Sequence, residues 1–508
     1  MTPTALRRSP FLRAAAALAF ALVAACSSVP PAPSSRDDGA TLAIVHLNDL
    51  YEIQPIEHGR YGGPARVATV IAELRRGASP VLVTLAGDYL SPSALGTARV
   101  DGQPLAGRQM VDVLDAMGLD WATFGNHEFD VSEAAFRAHL KQAKFRIVST
   151  NVTDARGRPF DGVPTSAVVP VALGARTVRI GLIGVTIDST DKPWVKYRDP
   201  IVAAREEIAK LAGRTDAIVA LTHLRLDQDA DFAAALPQVD LILGGHEHEN
   251  WLMRRGPRLT PIVKADANVR SVAIVSMRFP STGARPEVTV RLREIDDTLA
   301  SAPAVDEVAR RWTKIGMDAF RRDGFEPEAI VAVTGEPLDG RETTVRNRPG
   351  RLTDLIADGM RREAGNADVA IFNGGAIRID DVLAAGPVTE YDVIRVLPFG
   401  GRVMRATFDG ALLARVLDTG VHNQGLGGYL QTAGVRHERG GWTIGGRPID
   451  PAGRYSVAIA DFLLTGAEVN LGFLTTSNPQ VRNVREGRDI RRVLIESLRA
   501  AYPQAARR

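Results

Sequence analysis

From Thr41 to about Asp296 the chain alternates short aliphatic and β-branched runs with stretches whose apolar positions recur at helical spacing. Leu42 to Leu47, Val81 to Leu85, Ile147 to Thr150, Val178 to Val185, Ala217 to Leu221 and Val239 to Leu243 predict strands, and Trp121 to Phe124 is strand-like. Pro64 to Arg75 and Val131 to Lys144 predict helices between them. Such alternation predicts an α/β fold whose sheets are covered by helices. A helical segment around Ala304 to Arg322 follows, and a second α/β pattern begins after Ala329. It comprises a helix at Leu352 to Arg362, a strand at Val369 to Phe372, a helix around Gly410 to Leu417, a strand at Tyr455 to Ala460 and a last helix near Asp489 to Ala501.

The first residues break this pattern. Arg7, Arg8 and Arg13 precede an apolar run from Ala14 to Ala25, too short to span a bilayer, which predicts a secretory leader. Cys26, directly after Val23-Ala24-Ala25, resembles the cysteine of a bacterial lipobox, which becomes the lipidated first residue. With Ser27 next, that resemblance implies the periplasmic face of the outer membrane if the source is Gram-negative. Pro and Ser dominate the aperiodic stretch up to Ala40, as in a tether. The expected organisation is therefore a leader at 1–25, a tether at 26–40, a first domain at 41–296, a helical linker at 297–328 and a second domain at 329–508. The linker is expected to act as a hinge.

Composition adds exclusions. Cys26 is the only cysteine, so no disulfide forms within the chain. Residues 1–25 hold three arginines and no acid, so removing them takes the formal net charge from +3 to zero. Nothing in that balance points to a nucleic-acid polymer as partner.

Polar clusters close the predicted strands of the first half: Asn48-Asp49, Gly87-Asp88, Gly125-Asn126-His127, Thr222-His223 and Gly244-Gly245-His246-Glu247-His248. Loops at strand C-termini are where α/β folds place their sites. Asp49, Asp88, Asn126, His223, His246 and His248 supply the carboxylate, amide and imidazole donors suited to two adjacent divalent cations. A carboxylate such as Asp88 can bridge both ions, which together lower the pKa of a shared water and give a hydroxide suited to attack on phosphorus.

The order of these clusters resembles the calcineurin-like metallophosphoesterases, which use Asp, Gly-Asp, Gly-Asn-His-Glu, a lone His and Gly-His-x-His. In the second half Asn373-Gly374-Gly375-Ala376-Ile377-Arg378 resembles the Asn-Gly-Gly-Gly-Ile-Arg motif of the 5′-nucleotidase C-terminal domain, and Leu397-Pro398-Phe399-Gly400-Gly401 its Pro-Phe-Gly. Nearly the whole chain after the tether thus resembles the 5′-nucleotidase and 2′,3′-cyclic phosphodiesterase family. The resemblance implies a four-layer α/β/β/α sandwich followed by a second α/β domain that binds substrate. It implies a phosphohydrolase with two divalent ions (Zn, Mn, Co or Fe), in which Asn126 is a metal ligand that also faces substrate and His127 with Asp130 serves the leaving group. Asp130 can fix the His127 tautomer and raise its basicity. Arg346, Asn373, Gly375 and Arg378 would face substrate, Phe399 would stack one face of a base, and an aromatic from Asp461-Phe462-Leu463-Leu464 onward, such as Phe473, the other.

Three stretches depart from the family. Tyr51 stands where the first motif has histidine, so one ion gains a phenolate ligand, which favours iron or manganese over zinc, or loses a ligand. Gly466-Ala467-Glu468-Val469 replaces Gly-Gly-Asp-Gly, and Arg351-Leu352-Thr353-Asp354 replaces Asn-x-Gly-Asn. The function expected is release of phosphate from nucleotides outside the cytoplasm. Its alternatives are hydrolysis of 2′,3′-cyclic nucleotides, nucleotide sugars or sulfur esters, and a nucleotide-binding lipoprotein in which Tyr51 marks a lost site.

Overall fold

The structure, a computed structural model, describes residues 40–503. The expected leader, Cys26 and all of the tether but Ala40 lie outside the described residues.

Along the first half run β1 (Ala40–Leu47), α1 (Pro64–Arg75), β2 (Val81–Ala86), α2 (Arg108–Met117), β3 (Trp121–Thr123), α3 (Glu133–Gln142) and β4 (Arg146–Ile147). Then come β5 (Ser166–Leu173), β6 (Arg176–Thr186), α4 (Pro200–Leu211), β7 (Ala217–His223), α5 (Leu226–Ala235), β8 (Leu241–Gly244), β9 (Trp251–Arg255), β10 (Thr260–Lys264), β11 (Ser271–Phe279), β12 (Glu287–Glu294) and α6 (Pro303–Arg322). One six-stranded sheet has the order β12-β11-β1-β2-β3-β4, the other β9-β10-β8-β7-β6-β5. Strands β1 to β4 run parallel, as do β6, β7, β8 and β10.

Every residue of β7 is buried, which accounts for its unbroken apolar run up to Thr222. Leu42, Ile44, Leu182, Leu221, Leu243 and Val275 fill the space between the two sheets. Helices α1 and α2 cover the far face of the first sheet and α4 and α5 that of the second, giving the four layers α/β/β/α. Capping sets the helix starts: Asp199 accepts from Val202 N ahead of Pro200, and Ser132 accepts from Ala135 N. The Ser132 cap is why α3 begins at Glu133 rather than Val131.

The strand expected at Ile147 to Thr150 ends at Ile147. Beyond it the chain crosses to the other sheet, where Thr150 N donates to Gly184 O at 2.6 Å and Gly184 N donates back to Thr150 Oγ1 at 3.0 Å.

Helix α6 does not stand apart between the two halves. It lies against α1 and α2, where Trp312 Nε1 donates to Asp112 Oδ2 at 3.0 Å, and at its end Phe320 meets Tyr391 with ring centroids 6.2 Å apart. A single apolar cluster runs from Val67 and Leu114 past Trp312 to Ile356, Ile394 and Leu494.

The second half contains α7 (Arg351–Glu363), β13 (Val369–Asn373), α8 (Glu390–Val396), β14 (Arg402–Asp409), α9 (Gly410–His422), β15 (Leu430–Ala433), β16 (Arg454–Ala460), β17 (Val481–Asp489) and α10 (Ile490–Ala501). Its sheet has the order β15-β13-β16-β14-β17, with β13 and β16 parallel and the other neighbours antiparallel. Helices α7 and α10 pack together on one face, and α9 packs on the other.

Candidate metal and active site

All five polar clusters of the first half emerge at the same end of the parallel strands, from β1, β2, β3, β7 and β8. Gly125 lets two of these loops abut: a Cβ there would lie 2.1 Å from Asp88 Oδ1, so only glycine fits beneath that carboxylate. Asp49, Asp88 and His246 adopt positive φ (50°, 58° and 82°), a conformation that costs free energy in a non-glycine residue and is concentrated at functional sites.

Each carboxylate is anchored by one oxygen and aimed by the other. Asp49 Oδ2 accepts from Asn48 Nδ2 and His246 N, both at 2.9 Å, and Asp88 Oδ1 accepts from His127 N at 2.8 Å. The aimed atoms, Asp49 Oδ1 and Asp88 Oδ2, converge with His223 Nε2, and one donor atom each from these three residues lies within 4.8 Å of the others. His223 Nδ1 donates to Ala86 O at 2.7 Å, which turns Nε2 inward. His246 lies edge-on to His223, ring centroids 5.3 Å apart.

The charge balance calls for cations. Burial works to lower the His223 pKa, yet Asp88 and Asp49 raise it to about 9. Burial likewise opposes protonation of His248, and Asp380 with Asp49 raises it well above the usual histidine value. Burial and the neighbouring His223 hold His246 down at about 3, so it is a neutral donor. Asn126 Oδ1 is buried without a hydrogen-bond partner, and so is His223 Nε2, which lies 3.2 Å from Asp88 Oδ2 without hydrogen-bond geometry. An unpaired carbonyl oxygen and an unpaired ring nitrogen beside a carboxylate pair are the arrangement a divalent ion relieves, the ion taking the place of the proton that the two carboxylates hold on His223.

Glu128 holds the loops that carry these donors. It is fully buried and accepts from the backbone N–H groups of Asp88, Tyr89, Leu90 and Gly125 at 2.5–3.1 Å. Burial and the charge of Asp88 push its carboxyl up to about 7.

Beside the donors, His127 Nδ1 donates to Asp130 Oδ2 at 2.6 Å, leaving Nε2 toward the second half, where Arg378 Nη2 donates to it at 2.8 Å. Arg378 also reaches Glu342 Oε1 at 3.3 Å, and Arg346 pairs with the same carboxylate. Glu342 thus ties together two cationic forks, Arg378 against His127 and the part-buried Arg346 beside it.

The remaining expected residues are less uniform. Asn373 Nδ2 donates to Glu468 Oε2 at 2.7 Å while its Oδ1 is buried and unpaired. The amide of Gly375 already donates to Gly427 O at 2.8 Å, so this glycine packs two loops together rather than offering a free donor. Phe399 is 58% exposed. Phe473 is turned against the core of the second half, with the Arg415 guanidinium 3.6 Å over its ring, so that face is closed to a base. The exposed ring is Phe462, at 45%, in a turn tied to the Phe399 loop through Arg402 N donating to Asp461 Oδ2 at 2.8 Å.

Sequence reasoning missed Asp380, Glu342 and Lys264. Asp380 accepts from His248 Nδ1, and Glu342 links the two arginines. Lys264 is the lone charge in the apolar run Thr260-Pro261-Ile262-Val263, a signal that was readable.

A calcineurin-like phosphoesterase family model matches residues 42–250, and a model of the 5′-nucleotidase C-terminal domain matches residues 330–473. Over 463 residues the chain is 26% identical to the trifunctional nucleotide phosphoesterase protein YfkN of Bacillus subtilis (strain 168), covering 82% of this chain and 30% of that longer protein. Over 473 residues it is 25% identical to the 5′-nucleotidase of Homo sapiens, covering 83% and 79%. Among solved structures, a 5′-nucleotidase precursor from Thermus thermophilus shares the fold with a TM-score of 0.73 at 22% identity, covering 91% of this chain and 97% of that one.

Proposed function

Because the chain belongs to the two-domain 5′-nucleotidase family, a calcineurin-like phosphoesterase domain followed by a 5′-nucleotidase C-terminal domain, we propose that it hydrolyses nucleoside monophosphates with two divalent ions. Asp49, Asp88 and His248 would hold one ion, and Asp88, Asn126, His223 and His246 the other. Bound there, the ions supply Lewis acidity and lower the pKa of a water to yield the nucleophile. The observation that carries this reading is the convergence of the anchored carboxylates of Asp49 and Asp88 with His223, together with the unpaired Asn126 Oδ1 next to the His127–Asp130 pair.

The chain's own groups do the rest. Arg378 and Arg346 bring planar cationic forks to the phosphate. Asp130 fixes the orientation of His127 and turns Nε2 toward the second half, where that nitrogen can serve the departing alkoxide once Arg378 has turned to the phosphate. Phe399 and Phe462 offer exposed faces to a base. An aromatic stack is worth about 0.5–1.5 kcal/mol, so Phe399→Ala is expected to raise KM for AMP roughly 2- to 10-fold. KM for ribose 5-phosphate, which has no base, should not change. Equal rises for both substrates would remove Phe399 from the base site.

The deciding assay strips the protein with chelator, reloads it with manganese, cobalt or zinc, and offers AMP, a 2′,3′-cyclic nucleotide and UDP-glucose. Release of phosphate from AMP that chelator abolishes is expected. No release from any substrate with any ion would sink the reading. Export and lipidation at Cys26 are part of the same proposal, motivated by Val23-Ala24-Ala25-Cys26 after an apolar run. Labelled fatty acid should enter the wild-type chain in cells and not the Cys26→Ala chain.

A further inference from the structure

Tyr51 is buried among the donors of the candidate metal site. Its hydroxyl oxygen lies 3.2 Å from Asp49 Oδ1, 3.2 Å from Asp88 Oδ2 and 3.0 Å from His248 Nε2, and the Asp49 Oδ1 to His248 Nε2 distance is 3.4 Å. Ligands about 2.0–2.2 Å from one ion in a tetrahedron are separated from each other by roughly 3.3–3.6 Å. The three separations from the Tyr51 oxygen, and that between Asp49 Oδ1 and His248 Nε2, therefore lie within a few tenths of an ångström of those between corners of one coordination shell.

The ring is also aimed. Tyr51 N donates to Asn268 Oδ1 at 3.0 Å, Asn268 N donates to Asp49 O at 2.9 Å, and Asn268 itself adopts a positive φ of 54°. The ring meets His248 edge-on with centroids 5.4 Å apart. The hydroxyl carries one proton for two carboxylate oxygens at the same distance, so it is placed for both without being committed to either.

We propose that the phenolic oxygen of Tyr51 is a ligand of the first ion, completing a shell with Asp49, Asp88 and His248 and selecting a hard cation, iron or manganese, over zinc. The inference rests on the two-ion reading above and adds to it the identity of a ligand and the class of ion. A phenolate is a hard anionic donor, whereas zinc sites are built mainly from imidazole and thiolate.

The test uses the full exported chain, stripped and reloaded with ferric iron, manganese or zinc, with ions counted per chain and the visible spectrum recorded. The wild type should hold two ions and, with ferric iron, show a phenolate-to-iron charge-transfer band. Tyr51→Phe should lose the band and one of the two ions. Tyr51→His should lose the band, keep two ions and bind zinc better than the wild type does. Thermal melts of the metal-free variants separate a ligand effect from failure to fold, and Tyr51→His keeps the comparison open if Tyr51→Phe unfolds. A colourless ferric wild type, or a Tyr51→Phe chain with two ions and unchanged ion preference, would overturn Tyr51 as a ligand while leaving the phosphohydrolase standing. A wild type that holds no ion and releases no phosphate would instead overturn the two-ion reading, and the Tyr51 proposal with it.

Discussion

Replacing His127 by alanine is expected to lower kcat by about 10²- to 10⁴-fold, the usual contribution of a positioned acid or base, while ion content stays unchanged. The two effects separate because of where the side chain stands. His127 touches Asp88 only through its backbone N–H, which alanine retains, so the carboxylate keeps its anchor at 2.8 Å. The imidazole faces the other way, toward Asp130 and Arg378. Asp130→Asn should fall in between, because the amide keeps the contact to Nδ1 but not its negative charge. Substrates with good leaving groups need little help at the departing oxygen. A 4-nitrophenyl ester should therefore lose much less rate in His127→Ala than AMP does. Equal losses for both substrates, or loss of an ion, would place His127 in the structural support of the site instead.

The alternation of apolar runs and helical stretches was legible because strands buried on both faces must be apolar throughout, as β7 is. The candidate donors were legible for a related reason: Asp49, Asp88, Asn126, His223, His246 and His248 each stand at or shortly past the end of such a run, and parallel strands carry their C-termini to one edge. What no local pattern could show was pairing across the fold. Thr150 reads as strand, yet its amide bonds to Gly184 in the other sheet. Phe473 reads as an available aromatic, yet Arg415 from α9 lies over it. Asp380 was invisible as a partner of His248 because the two are 132 residues apart and meet only when the halves close on each other. Tyr51 was visible as a departure, but whether it gained or removed a ligand depended on the separations among four atoms from three loops.

Lys264→Met is expected to cost about 3–5 kcal/mol of stability, the range for removing one partner of a buried ion pair, and to weaken ion binding about 10- to 100-fold, as loss of groups that orient ligands does. The ammonium is fully buried and donates to Leu224 O and Gly245 O, both at 2.7 Å, while lying 2.8 Å from Asp229 Oδ2 and pairing with Glu247. Leu224 follows His223 and Gly245 precedes His246, so one charge ties down the two loops that bring imidazoles to the site. Methionine matches the length of the side chain, so the loss is electrostatic rather than a cavity. Two buried carbonyls and the carboxylate of Asp229 would be left without their donor. Burial already holds the Asp229 carboxyl above its usual range despite the neighbouring lysine, and loss of that lysine would push it further up. Lys264→Met combined with Asp229→Asn should therefore recover part of the stability, because no buried charge is left alone, yet recover none of the ion affinity, because the carbonyls of Leu224 and Gly245 are still unheld. Urea midpoints of the metal-free proteins read the first quantity and chelator competition the second. If the double variant regained both together, Lys264 would be a structural ion-pair partner with no separate hold on the histidine loops.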